Sequence, residues 1–181
     1  MENNIAIANS KSSIIAKDIA LIVLFSILTG LAANIKIEIG AVPITMQTLV
    51  VLLSGVLLGS KKGAISQITY LCYGLAGLGW FAHGGGLAYI ASPTFGYVIG
   101  FILAAYLAGL IKEKNINNPI AIFSILVIAN WSMYLPGLLW LSRFVESSKL
   151  LAIGFYPFII GDLIKISLVK IIIDKTWKRK I

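Results

Sequence analysis

The sequence predicts an all-α integral membrane protein, one domain over residues 1–181 with six transmembrane helices and cytoplasmic N and C termini. Three observations carry that expectation. Of 181 residues, 59% are hydrophobic and only 12% charged, against about half and a quarter in soluble domains. The mean hydropathy is +0.94. The apolar residues fall into six long runs whose intervening gaps are too short for an independent domain. The runs lack the alternation of barrel strands, and in hydrocarbon each must pair its own backbone, so they form helices.

In chain order the expected spans cover residues 14–33, 44–59, 63–82, 94–111, 119–141 and 151–173. The first run proper, Ile19 to Ala33, is short for a hydrocarbon core of about 30 Å. It extends back to Ile14 if Lys17 snorkels to the interface. Orientation follows from sorting the basic residues between alternate gaps. Lys11, Lys17, Lys61, Lys62, Lys112, Lys114, Lys175, Lys178, Arg179 and Lys180 share one side. Lys36, Arg143 and Lys149 share the other, so the first side is cytoplasmic. The gaps 34–43, 83–93 and 142–150 then face outward.

The formal charge of +8 does not point to nucleic acid, because the basic residues sit between apolar runs rather than on a polar surface. The lone Cys72 makes no internal disulfide, and one histidine, His83, builds no histidine metal cluster. Neither a phosphate-binding loop, an H-E-x-x-H helix nor a G-x-S-x-G elbow is present. The chain carries no sign of nucleotide binding, a bound metal or covalent catalysis.

The sharpest chemical signal is Gly161-Asp162-Leu163-Ile164-Lys165 in the sixth run, a carboxylate and an ammonium one turn apart on one helical face. Each costs about 2.5–3.5 kcal/mol at a helix centre, so polar groups must meet them. Two roles are open: the pair neutralises itself and locks two helices in register, or it projects into an aqueous cavity and binds a polar solute. The second is preferred, because other groups gather on the same outer half. These are Thr45 and Gln47 at the start of the second span, His83 and Tyr89 in the third gap, and Asn130, Trp131, Tyr134 and Trp140 in the fifth span. Such a half-apolar, half-polar pocket suits an amphipathic small molecule.

The gap from Ala82 to Tyr89 is rich in glycine, which reads either as a cover over that cavity or as a loose loop. Small residues also mark helix packing. Gly55 with Gly59 and Gly96 with Gly100 permit close approach of helices, and Ala16 with Ala20 and Ser26 with Gly30 form a small stripe on helix one. Internal packing is the commoner use of such a stripe; docking of a separate subunit is the other.

Four strings stand out: Val42-Pro43-Ile44-Thr45-Met46-Gln47-Thr48-Leu49, Gly74-Leu75-Ala76-Gly77-Leu78, Ser92-Pro93-Thr94-Phe95-Gly96-Tyr97, and Pro157-Phe158-Ile159-Ile160-Gly161-Asp162-Leu163-Ile164-Lys165. Together they resemble the biotin-specific substrate-binding S components, the BioY family, of energy-coupling-factor (ECF) transporters. The resemblance runs from about Lys17 to Ile173. It implies a multi-pass subunit of a prokaryotic plasma membrane that captures biotin outside the cell. Delivery would run through a transmembrane T subunit and two cytoplasmic ATPases, with biotin as ligand and no cofactor.

Carried over by position, the resemblance puts Asp162, Lys165, Gln47 and Thr45 at the vitamin and His83 and Tyr89 over it; Tyr134 and Trp140 are the candidates for the aromatic walls that an apolar bicycle needs. It also implies partner docking through Ala16, Ala20, Ser26 and Gly30. Biotin's ureido ring offers two N–H donors and a carbonyl, its bicycle is apolar and its valerate ends in a carboxylate. Asp162 suits the ureido N–H. Lys165 suits either the ureido carbonyl or the valerate. The gap 83–93 holds no arginine, so His83, Lys36 or backbone N–H groups are the donors near it. An S component for another vitamin and a self-sufficient secondary transporter are the alternatives.

Overall fold

The computed structural model describes the backbone of residues 2–177 and the side chains of residues 13–176. The side chains of Lys11, Lys178, Arg179 and Lys180, four of the ten basic groups used for orientation, lie outside the described residues. Helix α1 (Glu2–Ala33) leads into a two-stranded antiparallel hairpin, β1 (Lys36–Ile37) and β2 (Ile44–Thr45), with Lys36 opposite Thr45. Helices α2 (Gln47–Leu58), α3 (Ser60–Leu75) and α4 (Phe95–Glu113) follow, a 3₁₀ turn at Leu87–Ala91 preceding α4. The chain then forms α5 (Pro119–Ser132), α6 (Tyr134–Leu141), α7 (Leu150–Gly154) and α8 (Ile159–Trp177).

Among the described residues, three segments are long and apolar enough to cross a membrane: Ser13–Ala33, Phe95–Glu113 and Pro119–Leu141. The other expected spans depart from that standard for identifiable reasons. Helix α2 starts only at Gln47 because the two residues of β2 are paired with β1, and its 12 residues reach about 18 Å. Helix α3 stops at Leu75 rather than at residue 82, and the chain after it turns back at Gly77 and pairs Phe81 with Gly84. Gly84 holds φ +107°, a region open to glycine and strained for other residues.

Two expected spans are broken. The fifth divides at Met133, three residues before Pro136, whose missing N–H leaves no donor for the carbonyl of Ser132. The sixth divides at Phe155, two residues before Pro157, and the carbonyl of Gly154 accepts instead from the Tyr97 hydroxyl at 2.9 Å. Helix α5 has a sharp start: Asn118 Oδ1 accepts from the N–H groups of Ile120 and Ala121 at 2.9 and 3.2 Å, with Pro119 at the first helical position.

Helix α4 is the hub, packed on α2, α3, α5 and α6. Apolar lipid gives helices no hydrophobic reason to associate, so close packing must hold them. A Cβ on Gly55 would strike the backbone carbonyl of Ala105, and one on Gly100 would strike the backbone of Met133. Of the docking stripe, Ala16 and Ala20 are exposed. Ser26 and Gly30 are not: Ser26 is fully buried, and a Cβ on Gly30 would meet the Trp80 ring at 2.9 Å. Gly30 thus packs the protein's own α3–α4 connection, and both residues are covered within the chain.

The interior divides into two cores. One, rich in aromatics, contains Tyr70, Phe81, Tyr89, Phe95, Tyr97, Phe101, Tyr134 and Phe158. The other is aliphatic: Leu52, Val56, Ala108, Ile111, Ile122, Leu126, Ala129, Ile166, Val169 and Ile173.

Candidate solute-binding cavity

The aromatic core surrounds a small cavity of about 50 Å³, walled by apolar groups with a few convergent polar ones, the make-up of small-molecule sites. The hairpin and α2 contribute Pro43, Thr45, Gln47 and Thr48 to its lining; α4 and the residue before it contribute Thr94, Tyr97, Val98 and Phe101. Tyr134 on α6, Phe158, and Asp162 and Lys165 on α8 complete the charged side.

Asp162 and Lys165 pair at 3.0 Å, with side chains only 1% and 7% exposed. They are also in the cavity wall, so pairing and facing a cavity are compatible here. Lys165 Nζ donates further to Thr48 Oγ1 at 2.6 Å and to the Thr45 carbonyl at 3.2 Å, so its three N–H groups have three acceptors. Asp162 Oδ2 accepts from the Tyr134 hydroxyl at 2.6 Å and from Asn130 Nδ2 at 2.7 Å. Oδ1, facing Lys165, retains acceptor capacity. Short charge-assisted bonds of this kind make a buried ion pair tolerable where bare charges are not. Asn130 Oδ1, fully buried, has no hydrogen-bond partner among the described residues, an omission worth about 1–3 kcal/mol.

Gln47 Nε2 donates to the Tyr70 hydroxyl at 2.7 Å, and Tyr70 donates in turn to the Trp80 carbonyl at 3.0 Å. Thr45 Oγ1 donates to Gln47 Oε1 at 3.1 Å, which fixes the amide's direction. Tyr89 shares a 2.6 Å hydrogen bond with Thr94 Oγ1, which Ser92 Oγ joins at 2.9 Å. Burial pushes the Tyr89 phenol above its ordinary pKa.

The residues 76–91 form a packed cover. Phe81 is buried, its ring centroid 4.3 Å from that of Tyr89 and 5.4 Å from that of Tyr70. Lys36 Nζ ties the hairpin to the carbonyl of Ala82, a lining residue. Of the two readings of this glycine-rich gap, a cover and a loose loop, the ring packing of Phe81 on Tyr70 and Tyr89 favours the cover.

The structure brings Thr45, Gln47, Tyr89, Tyr134, Asp162 and Lys165 to the cavity. It does not bring His83, Trp140 or Trp131 there. His83 lies on the exposed side of the cover, its Nε2 3.2 Å from Glu38, which also pairs with Lys36 at 2.7 Å. Lys36 and then His83 hold the Glu38 carboxyl below its ordinary value. Trp140 stands behind the wall: its indole N–H donates to the Ser92 carbonyl at 3.1 Å, its ring meets Phe95, and Arg143 caps it at 4.3 Å. Trp131 is partly exposed and packs edge-on to Phe155.

Reading the sequence for polar residues missed Thr48, Thr94, Tyr97 and Phe158. Each lies inside a string quoted for the family resemblance, one to four residues from a residue that was singled out or from a helix start, and that proximity was the available signal.

Buried charges in the wall of a cavity, within a bundle of apolar helices, define a helical membrane protein built around a small-solute site. The particular lineage follows from sequence: the profile of the BioY family matches residues 2–180, and the chain belongs to that family. It is 39% identical over 161 residues to a "Probable biotin transporter BioY" of Pyrococcus horikoshii, covering 88% of this chain and 96% of that one. It is 37% identical over 146 residues to the "Biotin transporter BioY" of Thermotoga maritima, covering 79% and 85%. A crystal structure of the S-component for biotin from an ECF-type ABC transporter superposes with a TM-score of 0.81 at 27% identity. It covers 90% of this chain and 92% of its own.

Proposed function

We propose that this chain is the biotin-capturing S component of an ECF-type ABC transporter. The reading is carried by one observation: the Asp162–Lys165 pair, with its oriented donors, lies in the wall of a cavity lined otherwise by uncharged groups, rings and aliphatic side chains with three threonines and Gln47. Family membership and the likeness to a biotin S-component support the ligand. A ureido N–H meets the open acceptor of Asp162 Oδ1, the bicycle lies among Tyr134, Phe158, Phe101 and Tyr97, and the valerate points to the cover, where Lys36 is tied to Ala82.

The chain then crosses a prokaryotic plasma membrane six times, counting α5 with α6 and α7 with α8 as broken spans, both termini cytoplasmic by the excess of basic residues on that side. Discontinuous helices beside a solute site are a usual way to free polar backbone where it lines a cavity. The chain does no covalent chemistry itself; a T subunit and two ATPases supply the energy, and the exposed Ala16 and Ala20 face of α1 is where a helical partner would approach.

Equilibrium binding of biotin to the purified, detergent-solubilised chain, with other vitamins as competitors, tests the reading. Saturable binding that biotin alone displaces is expected. Absence of binding at micromolar biotin overturns it.

A further inference from the structure

Asn130 does not line the cavity, yet it is buried and spends its amide on the one carboxylate that does. A buried amide in a membrane helix ordinarily satisfies both of its ends. Here the carbonyl end has no partner among the described residues while the NH₂ end makes a 2.7 Å bond to Asp162 Oδ2. The reverse orientation would set a carbonyl oxygen against a carboxylate oxygen, so Asp162 dictates which way the amide lies.

The Tyr134 hydroxyl binds the same oxygen at 2.6 Å from α6, while Lys165 takes Oδ1. The two oxygens are thereby given different tasks. Oδ2, held from α5 and α6, has two donors and is fully occupied; Oδ1 has Lys165 as its donor and a lone pair to spare. Asn130 and Tyr134 flank the break at Met133, so that break sets the angle from which the second donor arrives.

Resting on the proposed ligand reading, we infer that Asn130 is a positioning residue for solute recognition: through Oδ2 it fixes the plane of the Asp162 carboxylate so that Oδ1 accepts a ligand N–H. The substrate it selects for is a ring bearing an N–H donor, such as a cyclic urea. It does so without touching that ring.

The test is a double-substitution cycle on the full-length chain, read by equilibrium binding of biotin with thermal stability measured alongside. In Asn130→Leu, which keeps the side-chain shape and removes the unpartnered carbonyl as well, biotin affinity falls about tenfold or more while the melting temperature stays near that of the parent. In an Asp162→Asn background the same substitution changes affinity by less than about twofold. A biotin analogue N-methylated on the ureido ring loses less affinity on Asn130→Leu than biotin does.

Equal fractional losses with and without Asp162, or a loss of affinity that merely tracks a lowered melting temperature, overturn the inference and leave Asn130 a packing residue. Failure of the parent chain to bind biotin overturns the ligand reading instead, which the parent titration shows separately.

Discussion

The two cores of this bundle are built on different principles. Around the cavity, Tyr70, Tyr89, Tyr97 and Tyr134 each bury a ring and use its hydroxyl to hold a carbonyl, a threonine or a carboxylate. In the other core the residues that meet are leucine, isoleucine, valine and alanine, whose side chains have no hydrogen bonds to direct. Tyrosine joins apolar bulk to a directional polar tip, which suits a wall that must hold its shape beside empty space. The aliphatic half needs only contact and reaches it by removing side chains, as where Gly55 lies against Ala108 and Gly109 against Ser60. One end of the molecule is built for a guest and the other for its neighbours.

The comparison breaks most visibly at Asp162. Replacing it with asparagine removes the charge that Lys165, Tyr134 and Asn130 surround; biotin affinity is expected to fall about a hundredfold or more, checked by titration of the folded protein. The opposite half responds in the opposite currency. Gly55→Ala forces α2 from α4 and is expected to destabilise the chain by about 1–3 kcal/mol, seen as a lower melting temperature in detergent, while the protein that remains folded binds biotin as before. An equal loss of affinity there would erase the distinction between the halves.

Smaller effects sharpen it. Tyr89→Phe keeps the ring beneath Phe81 and removes only the bond to Thr94; a three- to tenfold loss of biotin affinity, roughly one hydrogen bond, is expected with little change in stability. The smallest effect lies on the cover's outer side. Glu38 has its folded-state value lowered by Lys36 and His83, so its contribution to fastening the hairpin is complete above the ordinary glutamate value and is lost as pH falls through the lowered one. Amide hydrogen exchange in residues 35–46, extrapolated to constant intrinsic rate, is expected to show more opening in acid, an increment absent from Glu38→Gln.

How much of this was legible beforehand depends on which residues are rare in their surroundings. Charges within an apolar run are conspicuous, so Asp162 and Lys165 announced themselves, and the membrane setting then required polar company for them. Threonine and tyrosine are ordinary in membrane helices, so Thr48 and Tyr97 carried no such signal. The apolar runs gave the helical segments but hid their interruptions: hydropathy is indifferent to Pro136 and Pro157, which break the chain at Met133 and Phe155 while leaving composition unchanged.

Residues 76–91 were the least readable stretch. Their path is set by Phe81 inserting between Tyr70 and Tyr89, a tertiary choice that turns His83 outward to Glu38. Trp140 was placed one layer too far in for a related reason: its ring braces Phe95 and the Ser92 carbonyl from behind. Small residues on α1 carried two meanings at once, and only the packing of Trp80 over Gly30 separates the buried half of the stripe from Ala16 and Ala20.

The most direct test is a structure of the full chain determined with biotin at saturation. The account expects a ureido nitrogen within hydrogen-bonding distance of Asp162 Oδ1, with Asn130 and Tyr134 still on Oδ2 and the aliphatic core unmoved. Biotin bound elsewhere, with the Asp162–Lys165 pair undisturbed beside a vacant cavity, would contradict it.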